Sequence, residues 1–459
     1  MIVLKSLFQP TDMTEGTPWK KIVVFTLPML IGNIAQQLYS TVDTIVVGKY
    51  VGDSALSAVG AAGPVLNLLL VLFIGISMGA SIMVSQYFGA RQREELSYTV
   101  GNCIVLTAIA SLIVMALSVL VTRPLLEILD TPTGIIDGCE VYLMILFLGC
   151  AGSAFYNILS GILRGLGDAF WALVVLLVST VINIVLDLVF VKEFNMGVSG
   201  VAWATIIAQA VSAILCFVRL ATLTQLFDLK PKYLVLRKKY AMTVIRLGLP
   251  SGLTQAIFSV AMISVQKLTN SFGEMFVAVN IMIMRVDGFA MLPNFSFGTA
   301  MTTYTGQNIG AGNMERVTKG AKQGTILAVA TSATLTALIL IFGKFLMGMF
   351  TETAELVDLS RKMMSIIALG YIAMAVTQSL SGIMRGAGDT MTPMWISVLT
   401  SVVIRLPIAY GLVWLTKSAE HPNGRQECIF ISLLCAWLIG AIITTILYLR
   451  GGWKKKVRM

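Results

Sequence analysis

The chain has 459 residues, 57% of them hydrophobic and 12% charged, with a formal net charge of +10 and a mean hydropathy of +0.85. A soluble domain carries about 25% charged residues, so this composition excludes one and points to a polytopic membrane protein. The single histidine, His421 in a polar loop, leaves no basis for His-centred metal or triad chemistry. The six cysteines lie mostly in apolar runs without paired spacing, and read as small core residues rather than a disulfide or zinc framework.

Residues 1–19 form a short polar lead, and Thr17-Pro18 supplies a cap and first turn for a helix. The apolar run that follows Lys20 and Lys21 is too long for the core of a signal peptide. Apolar segments are predicted at Ile22–Val47, Ala58–Ile82, Thr99–Val121, Ile136–Ile162, Phe170–Val191 and Val198–Leu220. A basic, polar bridge over 222–240 separates these six from Leu247–Phe272, Phe276–Met301, Val317–Phe342, Leu356–Ile383, Thr392–Leu415 and Cys428–Leu449. Twelve spans fit the length, at about 35 residues for each span with its loop. An N-lobe over 1–221 and a C-lobe over 241–459 are expected, joined by a cytoplasmic linker over 222–240.

Topology follows from Lys and Arg. With both termini inside, 22 of these residues fall on inner segments and 8 on outer loops, while Lys267, Arg285 and Arg405 fall within spans. The bias explains the basic charge as cytoplasmic termini in a cell membrane and attraction to anionic lipid heads, not affinity for nucleic acid. Membrane lipids are therefore expected partners.

The halves repeat. Gly161-Ile-Leu-Arg-Gly-Leu-Gly-Asp168 returns as Gly382-Ile-Met-Arg-Gly-Ala-Gly-Asp389, and Gln86, Gly89 and Ala90 return at Gln307, Gly310 and Ala311, both displaced by 221. Leu27-Pro28 returns as Leu249-Pro250. An even number of spans between equivalent points makes these parallel repeats, related by an axis along the membrane normal. Such a pair places a cavity between two lobes, as alternating access requires. In the repeated motif the glycines suit a tight turn at the inner membrane edge, where Arg164, Asp168, Arg385 and Asp389 pair or cap helix ends. A Gly-x-Gly-Asp intramembrane protease is the enzyme reading of the same residues, and the duplication argues against it.

The first span carries Asn33, Gln36, Ser40 and Asp43 on one face. A charged side chain in lipid costs several kcal/mol, so Asp43 is expected to face a cavity or a partner. In span five Asn183 and Asp187 stand at i, i+4. In span six Thr205, Gln209 and Ser212 share a stripe. Together with Asp43, these oxygen-bearing groups suit Na⁺ or, through acids pushed toward protonation, H⁺. The positions matching Asn183 and Asp187 in the second half are Ile404 and Ile408, so the ion site is expected in the first lobe only. Gln255, Met284, Asp287 and Met291 join Asn33, Gln36, Ser40 and Gln209 as candidates for the substrate cavity, the methionines because thioethers adapt to many shapes. No G-x-x-x-x-G-K-[ST] phosphate loop exists, so this chain cannot itself use ATP.

Taken together, Leu27-Pro28, Val42-Asp43-Thr44, Gln86 with Gly89-Ala90, the Arg164–Asp168 motif, Asn183, Asp187 and Thr205 make the chain similar to multidrug and toxic compound extrusion transporters over essentially its whole length. The resemblance implies an all-α fold of twelve transmembrane helices in two six-helix lobes forming a V. It also implies export of cationic, amphipathic drugs in exchange for Na⁺ or H⁺, with no enzyme activity and no cofactor beyond the coupling ion. Similarity to the DNA-damage-inducible branch implies a first-lobe cation site at Asp43, Asn183, Asp187 and Thr205, and a helix bend at Pro28. No metal beyond a Na⁺ there is expected, and a monomer is expected. The competing reading is a lipid-linked saccharide flippase of the same superfamily, which would line its cavity with cations such as Lys267, Arg285 and Arg405.

Overall fold

A computed structural model describes residues 9–128, 131–419 and 421–456. Among them the regular structure is helical, with no strand. In chain order the α-helices are α1 (Pro18–Val46), α2 (Asp53–Gly89), α3 (Arg93–Ile128), α4 (Thr133–Leu148), α5 (Cys150–Gly165), α6 (Ala169–Leu188), α7 (Gly197–Thr222), α8 (Lys238–Asn270), α9 (Glu274–Gly310), α10 (Met314–Gly348), α11 (Ala354–Gly386), α12 (Met391–Val398), α13 (Arg405–Leu415) and α14 (Glu427–Leu449). Wider π-helical turns extend α1 over Val47–Val51 and α6 over Val189–Glu193, and a third joins α12 to α13 over Leu399–Ile404.

By length and composition these make eleven membrane crossings, and twelve when α4 and α5 count as one span broken by 52°. The predicted segment Ile136–Ile162 is thus not continuous. The break falls at Gly149, where an added Cβ would collide with the Ile206 side chain of α7, so the missing side chain admits Ile206 and the helix gives way there. At the matching position of α11, Gly370 likewise makes room for the Trp437 ring, yet α11 stays whole. Large apolar side chains such as Leu120, Ile341 and Leu449 are exposed, as expected of surfaces that meet hydrocarbon rather than water.

Packing divides the chain into two units. The first comprises the segment ending at Asp12 together with Leu27–Gly252. Its core runs through Ile76, Val84, Leu96, Val100, Ile158, Ile162 and Val244, with a second cluster around Val65, Leu143, Phe147 and Val201. Close backbone approach sets part of it, since a Cβ on Gly79 would strike the Val244 carbonyl and one on Gly161 would strike Ser77 Oγ. The second unit comprises Met13–Thr26 and Leu253–Met459. It is built around Phe276, Ile283, Met291, Met364, Ile367, Tyr371 and Trp437.

The polar bridge is ordered onto α3 and belongs with the first unit. Arg93 holds Asp228 through both carboxylate oxygens at 3.3 and 3.0 Å and donates to the carbonyls of Thr224 and Gln225. Ser97 Oγ accepts the Asp228 N–H and Asn102 Oδ1 accepts the Arg237 N–H. The Arg237 guanidinium lies 3.7 Å over the Tyr98 ring, which also packs against Tyr233 and Tyr240. The Arg93 guanidinium beside Asp228 holds its carboxyl below the usual range of 3.8.

In the second unit, the lead before α1 is gripped by Arg316, which donates to the carbonyls of Met13, Gly16 and Glu15 at 3.1, 2.6 and 2.8 Å. Gln307 Oε1 accepts the N–H of the fully buried Met13 at 2.9 Å. The sequence marks Gln307 only as a repeat position, and its partner lies 294 residues away.

Candidate functional site

Each repeated Arg-Gly-x-Gly-Asp motif is a turn. Gly167 and Gly388 take φ of +87° and +88°, a region open to glycine at little cost. Asp168 and Asp389 then cap the following helices, accepting from the N–H of Trp171 and of Thr392. Of the pairing or capping expected of these residues, the capping forms, and the acids pair with cations outside their own motifs. Asp168 pairs with Arg219 at the end of α7, 2.8 Å away, and Asp389 with Lys456 at 2.8 Å, while Arg164 donates to Ser160 within its own helix. Burial pushes the Asp168 carboxyl above its ordinary value, opposed by Arg219. Each acid is taken up in a cap and an ion pair.

The first unit brings three of the four predicted ion-coupling residues together. Asn183 and Asp187 lie on the last two turns of α6, buried at 1% and 0% exposure. With the Asn183 amide oriented to satisfy its surroundings, its nitrogen donates to Asp187 Oδ2 at 3.0 Å and its oxygen accepts from the Thr205 N–H at 3.3 Å. One amide therefore ties an acid on α6 to the backbone of α7. The Thr205 hydroxyl donates to the Val201 carbonyl at 2.9 Å, which leaves its oxygen lone pairs available to a cation. Immediately after Asp187 the helix widens into its π-turn, a feature that recurs at functional sites. Asp43 lies on α1, and its side chain is outside the described residues.

The substrate-cavity candidates are divided between the two units. On α1, Asn33 is half-buried whereas Gln36 and Ser40 are exposed, Ser40 donating to the Gln36 carbonyl. The helix runs unbroken through Pro28. Gln209 on α7 is half-buried, and Gln255 on α8 is exposed. In the second unit Met284 and Asp287 of α9 do line one cavity, with Arg405 of α13. Met291 is instead a core residue, 6% exposed and packed in the cluster with Tyr371. Of the three intramembrane cations, Lys267 and Arg285 are exposed, and Arg405 is the one that lines this cavity.

The sequence profile of the MatE family matches the chain twice, over residues 28–189 and 250–411. The chain belongs to the MatE family. The first match contains Asp43, Asn183 and Asp187, and the second is displaced by 222 residues, in keeping with the motif repeat. The "Probable multidrug resistance protein YpnP" of Bacillus subtilis is 27% identical over 447 residues, 96% of this chain and 97% of that one. The "Probable multidrug resistance protein NorM" of Thermotoga maritima is 27% identical and covers 98% of this chain, with 97% of its own length matched. A solved structure described as an outward-facing conformation of a multidrug resistance MATE family transporter superposes with a TM-score of 0.90 at 24% identity. It covers 97% of this chain and 99% of its own. The MatE fold of this chain is thus a multi-pass membrane transporter, not an enzyme.

Proposed function

We propose that the protein is a secondary active exporter of organic cations and amphipathic drugs, working by alternating access in exchange for H⁺ or Na⁺. The observation that carries this reading is the Asn183 bridge between buried Asp187 and Thr205. A carboxylate inside membrane-spanning helices is costly unless something compensates its charge. An amide that holds it against a second helix makes its occupancy a lever on how α6 and α7 pack. Asp43 on α1 is the second acid of the set and belongs to the same unit. The names of the relatives speak of multidrug resistance, and a chain without a phosphate loop draws its energy from an ion gradient or a partner, of which the buried acids favour the gradient. Concentration of the polar set in the first unit favours the DNA-damage-inducible branch.

We further propose that the protein lies in the cell membrane as a monomer in contact with lipid, and the excess of Lys and Arg on the segments read as inner supports cytoplasmic termini. The test is efflux of ethidium from proteoliposomes under separately imposed Na⁺ and pH gradients. Acceleration by one of them is expected and identifies the coupling ion. Equal efflux with and without either gradient would overturn the antiport reading.

A further inference from the structure

The second unit holds a charge arrangement that the first-unit ion site does not use. Asp287 of α9 and Arg405 of α13 line one cavity of about 50 Å³, together with Gln266, Thr269, Asn280 and Met284. Arg405 is 5% exposed, and Arg405 and Tyr371 are the polar groups that face Asp287. Opposite charges held among membrane-spanning helices ordinarily close on one another. These two form no direct ion pair among the described residues, and each keeps an unused atom. Asp287 Oδ1 accepts no hydrogen bond and Arg405 Nε donates none. Among the described residues the guanidinium reaches the Met262 thioether, 4.0 Å from Nη1. A buried guanidinium nitrogen and a buried carboxylate oxygen, each without a hydrogen bond in one cavity, are costly.

We propose that this cavity binds the zwitterionic head of an amino-acid-like solute, with its ammonium on Asp287 Oδ1 and its carboxylate on Arg405 Nε. The proposal deepens the exporter reading by naming a second substrate class, and it rests on that reading for the direction of transport. A lone cation gains Asp287 but meets the charge of Arg405, and a lone anion meets the reverse. A neutral polar group satisfies the geometry without charge-assisted bonds. A head carrying both charges pairs with both residues, and the cavity's volume suits such a head rather than a drug's body. Met262, Met284 and Phe430 supply adaptable apolar wall beside it. The two units thereby differ in kind. At the position matching Asn183 the second unit has Ile404, followed by Arg405, so where the first repeat places an acid-centred set the second places a base.

The experiment is equilibrium binding of three tritiated indoles to the whole transporter in nanodiscs without any gradient. Tryptophan carries both charges, tryptamine the ammonium alone and indole-3-acetate the carboxylate alone. Wild type is expected to bind tryptophan at least tenfold more tightly than either of the others, a comparison that needs no variant. The double variant Asp287→Asn with Arg405→Gln removes both charges at nearly constant volume and should weaken tryptophan binding at least tenfold. Arg405→Gln alone should shift the preference toward tryptamine. Tryptamine bound as tightly as tryptophan by the wild type, or tryptophan binding unchanged in the double variant, would overturn the proposal. Because no gradient is applied, failure here leaves gradient-driven ethidium efflux standing, and failure of that efflux leaves this result standing.

Discussion

Asp168 accepts from the Arg219 guanidinium at 2.8 Å across 51 residues of chain, while capping α6 at its own N-terminus. The carboxylate is fully buried and the guanidinium 15% exposed. Asp168→Ala removes a cap, worth about 1 kcal/mol, and takes the carboxylate from a mostly buried cation that keeps its stacking on Trp171, a further loss of about 3 kcal/mol. Asp389→Ala should cost less, about 1–2 kcal/mol, because its partner Lys456 is 50% exposed. Thermal unfolding in detergent checks the order. A smaller loss at Asp168 than at Asp389 would contradict the burial argument.

Gly167→Ala is expected to destabilise by about 1–2 kcal/mol from the left-handed backbone alone. A further loss arises because the new Cβ would strike the Thr11 carbonyl. Stability of the variant equal to wild type in the same melt would show that the turn relaxes freely.

The Asp228–Arg93 contact predicts a pH signature at the bridge. The carboxyl of Asp228 is held below 3.8 in the folded protein. Its stabilising contribution is therefore present above 3.8 and is lost as the pH falls through the lowered folded value. Asp228→Asn should raise amide exchange over 224–233 at pH 6, and the difference from wild type should vanish at pH 2. A difference that persists at low pH would assign the effect to something other than this charge.

How much of this was legible in the sequence depends on range. The twelve apolar runs were, because each is set by residues adjacent in the chain. The break at Gly149 was not, since it depends on Ile206 of another helix and the local run is apolar throughout. Similarly, Arg164 stands one turn from Asp168 and looks like its partner, whereas Arg219 fills that role through tertiary packing. In the site, the i, i+4 spacing of Asn183 and Asp187 fixed their common face. The contact of the Thr205 N–H with Asn183 was not legible, because every residue but proline carries a backbone N–H and only the fold aims this one. Arg405 was legible as an intramembrane cation, but the cavity it shares with Asp287 needed the fold.

Pro28 removes a backbone donor inside α1, the helix that also carries Asp43. If softening there links ion occupancy to substrate affinity, acidification from pH 8 to 5 should weaken binding of a fluorescent cation in wild type. The pH dependence should flatten in Pro28→Ala without loss of ion binding. Identical curves in the two proteins would make Pro28 a packing feature only.

The central claim is that the first-unit acids couple an ion to export. Its most direct test is gradient-driven ethidium efflux by Asp187→Asn and Asp43→Asn at matched expression, alongside a melt in detergent. Both variants should remain folded, because neutralising an acid in a membrane-spanning helix does not oppose insertion, and both should lose coupled efflux by at least tenfold. Wild-type efflux rates in both folded variants would contradict the account.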